Sequence, residues 1–116
     1  MQNAVFYRSL SGNEPVRDWL RTFEKGDRSV IGADLRTVQL GFPLGMPLCR
    51  PLEDGIYEVR TSLPTKREAR ILFSSEPEGL LLLHGFIKKT QKTPRSEIEI
   101  AARRRNEYRS KRKGAR

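Results

Sequence analysis

Two hydrophobic periods divide this chain. In its first third, Val16, Trp19, Leu20 and Phe23 recur at i, i+3, i+4 and i+7, and Ile31, Leu35 and Val38 continue at helical spacing. Each set draws an apolar stripe down one side of a helix. Asn13, ahead of Glu14 and Pro15, predicts the first N-cap, since a proline in the first turn gives up no needed N–H. Gly26 is expected to stop that helix, Asp27 to cap the next and Gly41 to end it, which makes a helical hairpin. Before the hairpin, Ala4–Arg8 has the aromatic and β-branched content of a short strand. After it, Gly41–Pro47 reads as a loop. From Leu48 onward the pattern is that of strands: a short edge strand at Leu48–Leu52, where Pro51 is tolerated, then Ile56–Leu63, Glu68–Ser75 and Leu80–Ile87. Pro64–Arg67 and Glu76–Gly79 supply the turns. The unbroken apolar run at Leu80 predicts burial on both faces and a place inside the sheet. A third helix is expected from Pro94 to about Arg109. This order, β, α, α, a run of strands, then α, predicts an α+β fold with a mostly antiparallel sheet.

Length changes the picture only by confining it. At 116 residues there is room for one core, expected within 1–109, with 110–116 as a basic flexible tail. Charge changes it more. Residues 1–58 carry seven Lys/Arg against eight Asp/Glu, whereas 59–116 carry sixteen against six, so the excess of +9 sits in the second half. A one-sided basic excess suits a polyanionic partner: nucleic acid, an anionic membrane or an acidic protein. One cysteine and one histidine leave no intrachain disulfide and no zinc cluster, and no metal or cofactor is expected. Neither a signal-peptide pattern nor an apolar run of membrane-spanning length occurs, so a soluble, cytoplasmic protein without a membrane partner is expected.

Candidate chemistry follows from the two-residue period. In Glu68–Ser75 the set Ala69, Ile71 and Phe73 is apolar and predicts the core face, which turns Arg70 to the opposite, exposed face. Arg60 lies there too if Tyr57 and Val59 face inward. Two arginines on neighbouring strands can clamp a phosphate, but they also fit a solvated face paired to Glu58 or Glu68. His84, at the end of the apolar run, is the one side chain whose ordinary pKa suits proton transfer near neutrality, or else a buried histidine satisfied by backbone. Lys88, Lys89 and Lys92 follow within five residues and can stabilise a charged transition state or simply keep a loop soluble. Phe86 and Tyr57 can stack on bases or belong to the core. Arg103, Arg104, Arg105 and Arg109 on the last helix can face phosphates, a protein partner or solvent. There is no P-loop, no GxSxG and no closely spaced histidine pair.

The segments DRSVI, GMP, GIYEVR and REARILF, then LLLLHGFIKKTQKTP with Glu97-Ile98 and Tyr108 after it, resemble the HigB-like toxins of the RelE/ParE superfamily. The likeness runs from about Val5 to Tyr108, in the branch of phage-derived toxin relatives. It implies a RelE-like, microbial-RNase-like fold: a helical hairpin on one face of an antiparallel sheet and a C-terminal helix. The implied activity is metal-independent, ribosome-dependent mRNA cleavage, in which the 2′-OH attacks the adjacent phosphate to give a 2′,3′-cyclic phosphate. Arg60, Arg70, His84 and Lys88 are the catalytic residues this implies, with Tyr57, Phe86, Lys89, Lys92, Arg103 and Arg104 against RNA. The tyrosine that some relatives carry beside the last strand is absent unless Tyr108 substitutes for it. Expected partners are the ribosome and mRNA and a cognate antitoxin, a helix-turn-helix protein through which alone operator DNA would be touched. A ParE-like gyrase poison and a non-catalytic RNA- or antitoxin-binding member are the alternatives.

Overall fold

A computed structural model describes residues 1–43 and 48–114, with side chains described through 112. The element order is β1 (Ala4–Phe6), α1 (Pro15–Leu20), α2 (Lys25–Gly41), β2 (Cys49–Pro51), β3 (Ile56–Ser62), β4 (Glu68–Glu76), β5 (Gly79–Ile87) and α3 (Arg95–Gly114). The strands form one open sheet in the order β1-β5-β4-β3-β2, antiparallel except for the parallel pair β1–β5. The expected α+β architecture with a mostly antiparallel sheet is present, β2 is an edge strand, and β5 lies inside the sheet between β1 and β4. The Gly41–Pro47 loop falls largely outside the described residues, as does the GMP segment.

Helices cover both faces. Val16, Phe23, Ile31 and Val38 pack with Val59, Ala69, Ile71, Phe73, Leu80 and Leu82 on one side. Ala101, with Ile98, Ala102 and Tyr108 of α3, packs on Ile56, Leu72, Leu81, Leu83 and Phe86 on the other. This explains why four consecutive leucines occur in β5: each side of the strand meets a helix layer, and each buried leucine is worth about 1.5–3 kcal/mol. It also corrects one premise, because the face carrying Arg60 and Arg70 is not an open sheet surface; α3 and the segment leading into it lie over part of it.

The helix ends differ from expectation for tertiary reasons. Asn13 caps nothing, since its side chain donates to Ser11 Oγ and its backbone N–H to Ser9 Oγ; α1 starts at Pro15. α2 begins at Lys25, so Gly26 sits in its first turn rather than stopping α1, and Asp27 is not its cap. The Asp27 carboxylate is instead buried against the β3–β4 turn, where it accepts from Thr65 Oγ1 at 2.7 Å and from Arg67 at 3.2 Å. A short polar side chain that is drawn into a tertiary contact cannot also serve its own helix end. α3 runs to Gly114 rather than fraying from Ser110, because Glu76 on β4 holds Arg109 at 2.8 Å and Arg112 at 3.2 Å.

A bulge at Leu72/Phe73 shifts the β4–β5 register, pairing Leu72 with His84 and Phe73 with Leu82. Leu83 and His84 therefore both face α3, which breaks the alternation that a regular strand would impose. One residue later Gly85 faces Trp19; an ideal Cβ there would lie 2.4 Å from the indole. Gly85→Ala is expected to destabilise the protein by about 1–3 kcal/mol, the usual range for overpacking, as read by urea unfolding. An unchanged midpoint would mean that α1 yields freely.

Candidate nucleic-acid interface

Arg60 and Arg70 are direct cross-strand partners, and Phe86 continues the same row on β5. Like charges opposite each other repel, and here Glu58 sits between them: its Oε1 lies 3.9 Å from Arg60 Nε and 3.7 Å from Arg70 Nε. Arg70 also donates to Glu68 at 3.2 Å and to the Ala69 carbonyl at 3.1 Å, and Thr93 Oγ1 donates to the second Glu58 oxygen at 2.5 Å. The Arg70 and Glu58 side chains are each 2% exposed, against 24% for Arg60. Arg70 is thus adjacent to Arg60, as the sequence implies, but its guanidinium is enclosed by protein acceptors. The expectation that it projects from an exposed face is corrected. Arg60 lines a depression near β2 with Asp34, Ser62 and Glu68, apart from the cleft that Phe86 and Lys89 line.

His84 lies within β5, just past the run of leucines, and it is satisfied by side chains rather than by backbone. Glu97, Ala101 and Arg104 fall on one stripe of α3 at i, i+4 and i+7, and the small Ala101 between them lets the helix approach the strand. Glu97 Oε1 lies 2.8 Å from His84 Nε2, and Arg104 donates to the Leu83 carbonyl at 2.8 Å and reaches His84 Nδ1 at 3.4 Å. Arginine only donates, so the consistent tautomer has Nε2–H given to Glu97 and the Nδ1 lone pair facing Arg104. Both ring nitrogens are engaged. Burial pushes the His84 pKa below its ordinary 6.5, outweighing the upward pull of Glu97, and Arg104 adds a smaller downward push. Burial likewise lowers Arg104.

A histidine held neutral in the fold but free to charge when unfolded makes stability fall with pH. The loss begins as pH drops through about 6.5, where the unfolded chain takes up a proton that the native ring resists. Because His84 is the sole histidine, the unfolding midpoint is expected to drop between pH 7 and 5.5 in the native chain and to stay flat in His84→Gln. Equal slopes would show that another group titrates. Asp27, Glu68, Glu76 and Glu78 have pKa values held below the ordinary 3.8 or 4.5, so their losses come at lower pH.

A cleft of about 670 Å³ opens beside this pair, lined by Trp19, Arg67, Gly85, Phe86, Lys89 and Glu97 among others. It follows the edge of β5 past the point where β1 stops pairing, at Leu82. Lys89 and Lys92 are exposed and Lys88 is half-buried; among the described residues none of the three forms an ion pair. Lys92 lines a separate depression with Thr93 and Arg95.

Other expected contacts lie elsewhere. Tyr57 is on the α1/α2 face, half-buried, stacked on Phe73 at 5.6 Å and edge-on to Phe42 at 4.9 Å, on the opposite face from His84 and Glu97. Phe86 is 8% exposed and stacks on His84 at 5.7 Å. Arg103 is exposed, whereas Arg104 lies over the Tyr7 ring at 5.4 Å and has little freedom to reach a phosphate. Tyr108 does not substitute near the cleft: it donates to Glu78 at 2.7 Å, its pKa is pushed up to about 12, chiefly by burial, and it sits eleven residues from Glu97, about 16 Å along the helix. Sequence reasoning named Glu58 and Glu68 as possible partners of the two arginines, and both pair with Arg70, but it missed Glu97, Trp19 and Arg67 as neighbours of the site. Glu97 alone left a signal, a carboxylate in the first turn of a helix that follows the lysine run. Among the described residues no three His, Cys, Asp or Glu side chains converge as a metal site, and no helix is long and apolar enough to cross a membrane.

A helix-backed sheet that carries a cation-rich, aromatic-walled cleft beside a hydrogen-bonded carboxylate and imidazole is a surface suited to a polyanion. Residues 18–106 match the sequence model of the phage-derived Gp49-like proteins (DUF891), and the chain belongs to that family. The family is associated with toxins of toxin–antitoxin systems, which implies an antitoxin partner. No curated protein matches the chain.

Proposed function

We propose that the protein is a toxin of a type II system, with a RelE-like sheet, that cleaves mRNA on the ribosome and so inhibits translation. The observation that supports this most is the Glu97 carboxylate, braced by His84 at 2.8 Å and lining the cleft that also carries Lys89 and Arg67. RNA brings its own nucleophile, so a catalyst must orient the 2′-OH, take its proton and stabilise charge on the phosphate. In this reading Glu97 Oε2, the oxygen not bonded to His84, accepts the 2′-OH proton as the 2′-oxygen attacks phosphorus. Lys89, with Lys88 and Lys92 nearby, offsets the charge on the non-bridging oxygens, and a lysine ammonium protonates the departing 5′-oxygen. The product is a 2′,3′-cyclic phosphate.

His84 acts through Glu97 rather than on substrate, and Arg70 acts through Arg60 and Glu58; both are positioning residues in this account. Arg60, one-quarter exposed, and Arg103 remain available to more distant phosphates. The cognate antitoxin, read as a helix-turn-helix protein that alone contacts operator DNA, silences the activity. Mapping of transcript ends after induced expression tests the proposal. Cuts within codons that leave cyclic phosphate ends are expected, whereas growth arrest with intact transcripts removes the nuclease reading, and accompanying SOS induction points to gyrase instead.

A further inference from the structure

The same cleft has walls that proton transfer and phosphate binding leave unused. Trp19, half-buried, forms one side, edge-on to Phe23 at 4.7 Å, and Arg67 lies over that Phe23 ring at 5.3 Å. Gly85 and Phe86 line the cleft from β5, and the absent side chain at 85 is what brings the indole against the strand. Lys88 N–H donates to the Glu68 carbonyl, so the antiparallel alternation sends the N–H and C=O groups of Phe86 to β4 and those of Gly85 and Ile87 outward, along the stretch that β1 leaves unpaired. An aromatic wall, outward backbone donors and acceptors, and two flanking cations meet in one space within the ~300–1,000 Å³ range of small-molecule sites.

We infer that this cleft is a nucleobase subsite, in which one unpaired base of single-stranded RNA stacks on Trp19 beside the edge of β5 while Arg67 and Lys89 hold its flanking phosphates. The inference rests on the RNA-cleaving reading above and adds to it which part of the substrate the protein grips. A base has a π-face and polar edges, matching the indole and the strand-edge amides; an acidic peptide would use the cations and leave the indole idle.

Trp19 is the only tryptophan, so its emission reports on this cleft alone. The full-length protein is titrated with a 2′-O-methyl RNA tetranucleotide, which cannot be cleaved, and with the same backbone lacking one base. Saturable quenching of Trp19 is expected, with affinity for the base-bearing oligomer at least about tenfold tighter than for the abasic one. In Trp19→Leu, followed by anisotropy of labelled oligomers, that preference should collapse; if this variant does not fold, the native comparison still decides. Equal affinities, binding without any change in Trp19 emission, or stronger quenching by an oligoglutamate peptide would overturn the subsite. If the protein cuts transcripts but Trp19 stays silent, only the subsite is lost. If it neither binds the oligomers nor cuts transcripts, the nuclease reading goes with it.

Discussion

Glu97→Gln is expected to lower RNA cleavage by roughly 10²–10⁴-fold, the usual contribution of a positioned general base, with little change in folding stability. The amide oxygen can still accept from His84 Nε2, so the contact that ties the start of α3 to β5 survives. What disappears is an oxygen able to take a proton. His84→Gln is expected to act differently, with a smaller loss of rate and an altered pH profile, because the imidazole orients and polarises the carboxylate without reaching into the cleft. Full activity in Glu97→Gln, measured on ribosome-bound mRNA with the protein shown to be folded, would remove Glu97 from the chemistry and return attention to the lysines.

Loss of the Glu58 carboxylate is expected to have the largest effect on stability. In Glu58→Ala the Arg70 guanidinium, 2% exposed in the native fold, keeps Glu68 at 3.2 Å but loses its buried carboxylate partner at 3.7 Å, and Thr93 loses its acceptor. Breaking a buried pair from one side costs about 3–5 kcal/mol, and the half-exposed Glu68 only partly offsets the desolvated charge left behind. For a chain of this size that corresponds to a fall in Tm of roughly 10–20 °C by calorimetry. The paired replacement Glu58→Leu with Arg70→Met should recover much of the loss, because two apolar side chains need no partners. A single Glu58→Ala within about 1 kcal/mol of the native stability would show that solvent reaches Arg70 after all. Toxicity lost in Arg70→Ala therefore reports folding before it reports chemistry.

Several elements were legible from the residues because their signals are local. The stripes at Val16–Phe23 and Ile31–Val38 and the alternation in Glu68–Ser75 record which side of each element meets apolar neighbours, and burial follows them. The cap assignments at Asn13 and Asp27 failed for a complementary reason. Both side chains have more than one possible partner: the Asn13 amide nitrogen donates to the neighbouring Ser11 and the Asp27 oxygens accept from the distant Thr65. The arginine at 70 was placed on the correct face but with the wrong environment, because alternation tells which face a side chain takes and says nothing of what lies over that face.

From the order of its residues alone, this chain determined an α+β fold, a histidine in the last strand, a basic second half and the kinship of its motifs. Period, turn chemistry and charge are properties of neighbours in sequence. Only the tertiary structure decided that α3 roofs the second sheet face, that Arg70 is enclosed by Glu58 and Glu68, and that Glu97 meets His84 at the rim of a cleft walled by Trp19. The Glu58–Arg70 and His84–Glu97 contacts join residues of different elements, and Trp19 and Glu97 come to line one cleft only through the way helices cross the sheet, which no local pattern encodes.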